Sequence, residues 1–376
     1  MVRKEGLVAL RYQGTLAGAG AEPLSMVLIE CEKFASEFDC YLGASRTQSV
    51  APAQTLFRGS LLEYALTRTR FERAAAEADI VIQSFILNPF LEPGELLHYP
   101  MLEATLAVQP TLEKQIQRVR SKAHRRRLRK ARKSTAYTAT VSVKESDFET
   151  FHDGMYASYV RDRFGQRAYC KPRALLHGLF RARGEVVLSH FEGKPVAGAL
   201  LLKGADGTLE YHSNGFADSK IGARTLAQHT AALECAVMTH AIDQRFGRIA
   251  FGYTRSLLSE GLFTHKRRMG CAFTPAPYSP LVRVKIKPSR RPAVMHGFPM
   301  ISGGPGQFVA HVGYDEHSPR KTVRQWRAQL KNYVLPELTR IVFHTNVGPT
   351  QPGRVTYESA LRQVAGEIEI EVLSSA

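Results

Sequence analysis

Between Glu185 and Tyr253 the chain sets out strands, turns, one long helix and a last strand in an order that few folds accommodate. Glu185 to His190 reads as a strand, Glu192-Gly193-Lys194 as a tight turn, and Pro195 to Leu202 as the returning strand. Ala205-Asp206-Gly207-Thr208 turns the chain again, and Leu209 to Asn214 makes a third strand. Glycine after a polar residue, between extended apolar runs, marks antiparallel hairpins. A loop from Gly215 to Ile221, a helix from about Gly222 to Arg245 and a strand at Arg248 to Tyr253 complete the series. The class this implies is α/β (α+β), with mixed, largely antiparallel sheets.

Upstream, residues 1–110 read as mixed helix and strand. Leu24–Phe38 is strand-like then helical, Ser60–Glu77 an amphipathic helix, and Ala78–Ile86 a buried strand. Thr111 to Lys133 reads as one helix, because Leu112, Ile116, Val119 and Ala123 recur at three- and four-residue steps. Thr111 is placed to cap it. Its other faces carry Arg118, Arg120, Lys122, Arg125, Arg126, Arg127, Arg129, Lys130, Arg132 and Lys133, with no acidic residue between them. Repulsion along such a run weakens a helix unless anions or packing compensate. Two readings follow: a phosphate-binding surface at Arg125, Arg126, Arg127, Arg129 and Lys130, or a solvated helix joining two domains.

Charge sharpens the first reading. The chain has 51 Lys and Arg against 34 Asp and Glu, a net +17, which suits a polyanionic partner such as nucleic acid, a phosphate-rich cofactor or an acidic membrane face. At 376 residues it is long enough for two domains. The five cysteines include no Cys-x-x-Cys pair, so neither a disulfide framework nor a metal site is implied, and a cytoplasmic location is expected. No run approaches the roughly 18 apolar residues of a membrane span.

Past the basic stretch, Tyr137–Val143 alternates like a strand, and Ser146-Asp147-Phe148-Glu149 could cap a helix through Tyr159. Arg161 to Pro172 is a polar connector that includes Arg163 and Arg167. Beyond residue 285, Thr322–Leu338 reads as a helix around the only tryptophan, Trp326, and Gly366–Leu373 as a strand. The expected domains are 1–110, a connecting helix 111–135, 136–285, and an extension 286–376 that either returns to the first domain or forms its own lobe.

The loop Ser219-Lys220-Ile221-Gly222-Ala223-Arg224 leaves a strand and enters a helix, where free amides and the helix dipole favour a pyrophosphate. The meander, this loop, the long helix and the return strand together resemble the GNAT acyltransferase core. The resemblance narrows to its FemAB-like branch on three pieces: Lys122 to Ala131, the strand Gly193 to Leu200, and Ser259-Glu260-Gly261-Leu262-Phe263-Thr264-His265-Lys266-Arg267-Arg268-Met269-Gly270. It covers roughly residues 105–275 and implies two GNAT-like domains. It also implies that the third strand splays from its neighbour, and that amides beside Tyr211, His212 and Asn214 polarise a carbonyl in the gap. Lys266 falls where the branch has a lysine that stabilises the oxyanion or holds the donor's 3′ end. His265 stands where a phenylalanine of the acceptor channel is usual, and Arg224 where a second small residue is common.

Amide formation needs a polarised carbonyl, a deprotonated amine and their alignment. Asp218, His212, Glu234 and Glu260 are candidate bases, with His212 favoured by position; Tyr211 and Tyr253 could protonate the leaving group. Asn214, Arg163, Arg167 and His265 are candidates for holding the acceptor. Cys235 and Cys271 read as buried packing. The activity expected is N-acyl transfer from acyl-CoA to an amine without a metal. An aminoacyl-tRNA donor, as in Fem-type enzymes, is the alternative, and a non-catalytic RNA-binding module the third reading.

Overall fold

The structure, a computed structural model, describes residues 7–15, 23–31, 54–59, 74–84, 91–164, 170–304, 306–314 and 318–374. The chain divides into two compact units, one of Met1–Leu102, Thr254–Thr264 and Thr274–Ala376, the other of Glu103–Tyr253 and His265–Phe273. Residues 286–376 thus fall in the unit that holds the N-terminal strands, and the basic stretch 111–133 falls inside the other.

The first unit begins with β1 (Leu7–Thr15), β2 (Pro23–Cys31), β3 (Gln54–Gly59), β4 (Ile80–Ser84) and β5 (Leu96–His98). The second is built on a seven-stranded sheet of β6 (Met101–Ala107), β7 (Tyr137–Ser142), β8 (Gly184–Phe191), β9 (Lys194–Lys203), β10 (Thr208–Phe216), β11 (Arg248–Arg255) and β12 (Ala272–Pro275). The chain then returns to the first unit with β13 (Val282–Ile286), β14 (Met300–Ser302), β15 (Phe308–Tyr314), β16 (Leu338–Thr345) and β17 (Glu369–Ser374). There β13 pairs antiparallel with β4 on one side and β5 on the other. Its alternation explains the placement: Val282, Val284 and Ile286 are buried in one core with Ile80, Ile82, Met295 and Met300. Each such side chain contributes on the order of 2 kcal/mol. Strands β14 to β17 form a separate four-stranded sheet, parallel from β15 onward, with β17 at its edge.

In the second unit the order is β12-β6-β11-β10-β9-β8-β7. Strands β7 to β10 form the antiparallel meander, and the β8–β9 turn takes positive φ at Glu192 and Gly193, the twist-matched hairpin geometry. Val186 and Leu188 of β8, with Leu200 and Leu202 of β9, pack on Phe148, Phe151, Leu176 and Phe180. The alternate residues Val187, Ala199 and Leu201 are also fully buried and face the other side of the sheet.

Three helical expectations change. Thr111 to Lys133 is two helices, α1 (Leu112–Arg118) and α2 (Lys122–Lys133). The chain turns extended at Val119, whose side chain is buried, and Ser121 starts the second helix by accepting from the His124 amide. Ala123 is consequently exposed, and His124 and Leu128 form the buried stripe of α2. Thr111 caps α1 as expected. The helix expected from Ser146 starts one residue earlier as α3 (Glu145–Phe151), passes through a π-turn at His152–Tyr156, and continues as α4 (Ala157–Phe164). Arg173–Arg183 forms α5, and the long helix α6 runs Ala223–Asp243. Beyond it, α7 is Gly261–Met269. The helix at Trp326 is shorter than expected, Val323–Leu330, with a Thr322–Gln325 capping box. Of the helix expected over 60–77, residues 60–73 lie outside the described residues, as do 32–38 and 85–86 of the other N-terminal expectations. Among the described residues no helix is long and apolar enough to cross a membrane.

Candidate functional site

β10 and β11 run parallel and pair at Thr208–Arg248, Leu209–Ile249 and Glu210–Ala250, where their ladder ends. On its other side β10 remains paired with β9 as far as Phe216. The sequence supplies the cause. The β9 ladder jumps from Tyr211–Leu201 to Ser213–Leu200, so His212 is the extra residue of a bulge, and bulges bend and twist a strand. Gly215 lets the strand continue under the π-turn, since a Cβ there would lie 2.6 Å from the backbone of Met155 and Tyr156. Tyr211 and Phe251, one from each diverging strand, have ring centroids 5.3 Å apart.

Backbone groups that a neighbouring strand no longer pairs need other partners. On β11, Lys266 supplies them: its Nζ donates to the carbonyls of Gly252 at 3.0 Å and Tyr253 at 2.7 Å, from a side chain only 4% exposed. Gly252 holds φ +69°, a left-handed conformation that suits glycine. The ammonium therefore sits against the stretch of β11 that β10 has left.

Behind these strands Glu234, in the middle of α6, is 3% exposed. Its Oε1 accepts from His265 Nε2 at 2.9 Å, and its Oε2 lies 2.8 Å from His124 Nε2. Burial works to raise the Glu234 carboxyl, but the contacts with His124 and His265 outweigh it and bring it down to about 2. For His265, burial works downward, and the hydrogen bond and charge of Glu234 win against it and against Lys266 and Arg268, so its pKa is raised. The Tyr211 phenol is pushed well above its ordinary value by burial, with Glu234 and Tyr159 adding to the effect. Among the described residues no group of three His, Cys, Asp or Glu side chains is placed to hold a metal ion.

At the start of α6, Gly222 is the N-cap with no side-chain hydrogen bond, and the first turn has no acidic residue. Lys220, Gly222, Ala223 and Arg224 are exposed there and Ile221 half-buried. Ser219 donates to Asp162 Oδ2 at 2.7 Å, while Asp218 accepts from the Lys220 amide and so is engaged in the turn. Such an end of a 21-residue helix presents amides and positive dipole to solvent.

The remaining sequence candidates lie as follows. His212, the favoured base, has Nε2 3.1 Å from the ammonium of Lys171, which also donates to the His212 carbonyl. Burial and then Lys171 hold its pKa down, to about 4, so its ring is neutral with the Nε2 lone pair occupied. Lys171, not singled out from sequence, is itself lowered by burial. Glu260 caps α7, accepting from the Phe263 amide at 2.6 Å. Asn214 is half-buried on β10, and Tyr253 is exposed on β11. The side chain of Arg163 and all of Arg167 lie outside the described residues. On α2, Arg125 donates to Val119 O at 2.6 Å and Arg129 is paired with Glu113 at 3.1 Å, while Arg126, Arg127 and Lys130 are exposed. Cys235 and Cys271 are buried, and burial pushes both thiols up to about 12.

No family model and no curated protein sequence matches the chain. Solved structures resemble it distantly. FemX shares 11% identity at a TM-score of 0.40, over 70% of this chain and 81% of its own. The C-terminal DUF2156 domain of a protein from Agrobacterium fabrum shares 10% identity at 0.34, over 75% and 83%. A GCN5-related N-acetyltransferase-like protein from Streptococcus suis shares 11% at 0.29, over 75% and 84%. The group of proteins named by the sequence resemblance is represented among these neighbours.

Proposed function

We propose that the second unit catalyses N-acyl transfer from an acyl-CoA to an amine. The observation that carries this is the parting of β10 and β11 after three paired residues, with the open N-terminus of α6 following β10 in sequence. Parallel strands that separate leave backbone donors on β10 without β11 partners, and a thioester carbonyl inserted there meets them as an oxyanion hole. The α6 terminus, with Lys220 and Arg224, holds the donor's phosphates. Lys266, fixed on the β11 carbonyls, places a positive charge where the tetrahedral oxyanion develops. Tyr211, kept protonated, is the donor to the leaving thiolate. A tRNA-linked donor is the second reading, favoured by the exposed Arg126, Arg127 and Lys130 of α2.

Thermal stability against CoA, acetyl-CoA and bulk charged tRNA at two salt concentrations tests both, since a ligand of the folded state raises Tm by mass action. A rise with CoA compounds that survives salt supports the first reading. A rise only with tRNA, fading with salt, replaces it with the second. No rise with any of them counts against both.

A further inference from the structure

The carboxylate at the centre of the second unit is not explained by packing. Glu234 carries its charge into the interior at mid-helix, where an isolated carboxylate is costly; it holds His265 by a hydrogen bond on Oε1, and His124 Nε2 lies 2.8 Å from Oε2. The two imidazoles differ. His124 is buried on α2, whereas the His265 side chain is 41% exposed on α7. Bonding of Nε2–H to the carboxylate fixes the His265 tautomer and leaves Nδ1 as the nitrogen outside the dyad. This is the arrangement by which a buried carboxylate holds a histidine in base form and stabilises it once protonated.

Resting on the acyl-transfer reading, we propose that His265 takes the proton from the acceptor amine, with Glu234 as its positioning residue. Three observations favour it over His212, the base that position along β10 suggests. The His212 Nε2 lone pair already faces the Lys171 ammonium. The His265 side chain is 41% exposed while its Nε2 is held on Glu234. Tyr211, on the other strand, is close enough to Glu234 for its phenol to respond to that charge. The groups acting on His265 are Glu234 from α6, His124 from α2, and Lys266 and Arg268 from its own helix. Their net effect raises its affinity for protons, which strengthens it as a base.

In the step, the amine lone pair forms the N–C bond to the thioester carbon, and the amine proton passes to His265 Nδ1. Collapse of the tetrahedral species breaks the C–S bond and releases the CoA thiolate, which Tyr211 protonates. Solvent then takes the proton from His265 and restores Tyr211.

The test measures CoA thiol release from acetyl-CoA with a panel of primary amines, across pH, in wild type, His265→Gln and Glu234→Gln. NMR titration of the His265 ring runs alongside on the wild type and Glu234→Gln. Glu234→Gln preserves volume, and unchanged circular dichroism checks that it folds. The expected result is a 10²- to 10⁴-fold lower kcat in His265→Gln with the KM for acetyl-CoA unchanged. In Glu234→Gln the His265 titration midpoint and the acid limb of kcat/KM should fall together. Wild-type turnover in His265→Gln, or a profile that Glu234→Gln leaves in place, overturns the base role and spares acyl transfer. Absence of turnover in the wild type overturns acyl transfer and the base role with it.

Discussion

The buried histidines of the first unit and His265 of the second are driven in opposite directions. In the first unit His98 donates Nδ1–H to Ile301 O at 2.7 Å and meets the Ser256 hydroxyl at 3.2 Å. Ser302 lies 2.6 Å from His311 Nε2, and His311 Nδ1 lies 3.0 Å from His344 Nε2, with the two rings stacked. Burial brings His98 down to about 4, and burial with Arg291 brings His344 to about 3. His311 is held well below its ordinary value by burial, His344 and Arg291. In the second unit, burial pulls His265 the same way, and Glu234 reverses the outcome. Burial alone does not decide the outcome for His265. The hydrogen bond and charge of Glu234 do, where the first-unit rings have neutral partners at hydrogen-bond distance.

The largest break in this contrast is Glu234→Leu, which leaves two imidazoles around an apolar side chain. Removing one partner of a buried ionic group costs about 3–5 kcal/mol, and urea unfolding should show it. Next comes pH. His98 and His344 have lowered folded values, so the unfolded chain binds protons first, and their contribution is intact above 6.5 and lost as pH falls toward 4 and 3. The loss from His98 alone is roughly 3 kcal/mol near pH 4. Glu234, also lowered, keeps its contribution down to 4.5 and loses it as pH falls toward 2. His265, raised, contributes fully below 6.5 and loses its share as pH rises through its folded value. Between pH 6.5 and 4.5 the first unit loses the contributions of His98, His311 and His344 and the second those of His212 and His229, so amide hydrogen exchange should quicken more in the first unit; the reverse order would end the comparison.

Ser302→Ala strips His311 of its hydroxyl and should cost about 1–3 kcal/mol in the same unfolding assay. The smallest effect sharpens the rule. His229, in the second unit, meets the Tyr137 hydroxyl at 2.8 Å, and burial lowers its pKa. Tyr137→Phe should cost only about 1 kcal/mol, because a neutral bond is removed and no charge is stranded. A loss as large as that of Glu234→Leu would show that the partner's charge is not what matters.

The meander was legible because its information is local. Glu192-Gly193 and Asp206-Gly207 fix turns between short apolar runs, and α6 has length enough to declare itself. The split of α1 from α2 was hidden because Val119 fits the helical stripe either way, and the Ser121 cap competes only once the chain has turned. The candidate site was half legible. Lys266 and the glycine loop stand out by composition, but the Glu234–His265 contact joins residues 31 apart and His124 adds a third from another helix. Lys171 looks like any lysine of a polar connector until the bulge turns His212 toward it. The place of β13 between β4 and β5 has no local signature, since any alternating strand could fill that slot.

That slot matters during synthesis. β4 is complete at Ser84, but β13, which pairs along it, begins at Val282. At ribosomal rates of 5–20 residues per second, about 200 residues and roughly 10 to 40 seconds separate the two. Through that interval β4 waits without its β13 partner, an open template for other chains, while the whole of the second unit is being made. Slow translation, or release before Ile286 has emerged, should send this protein toward aggregation.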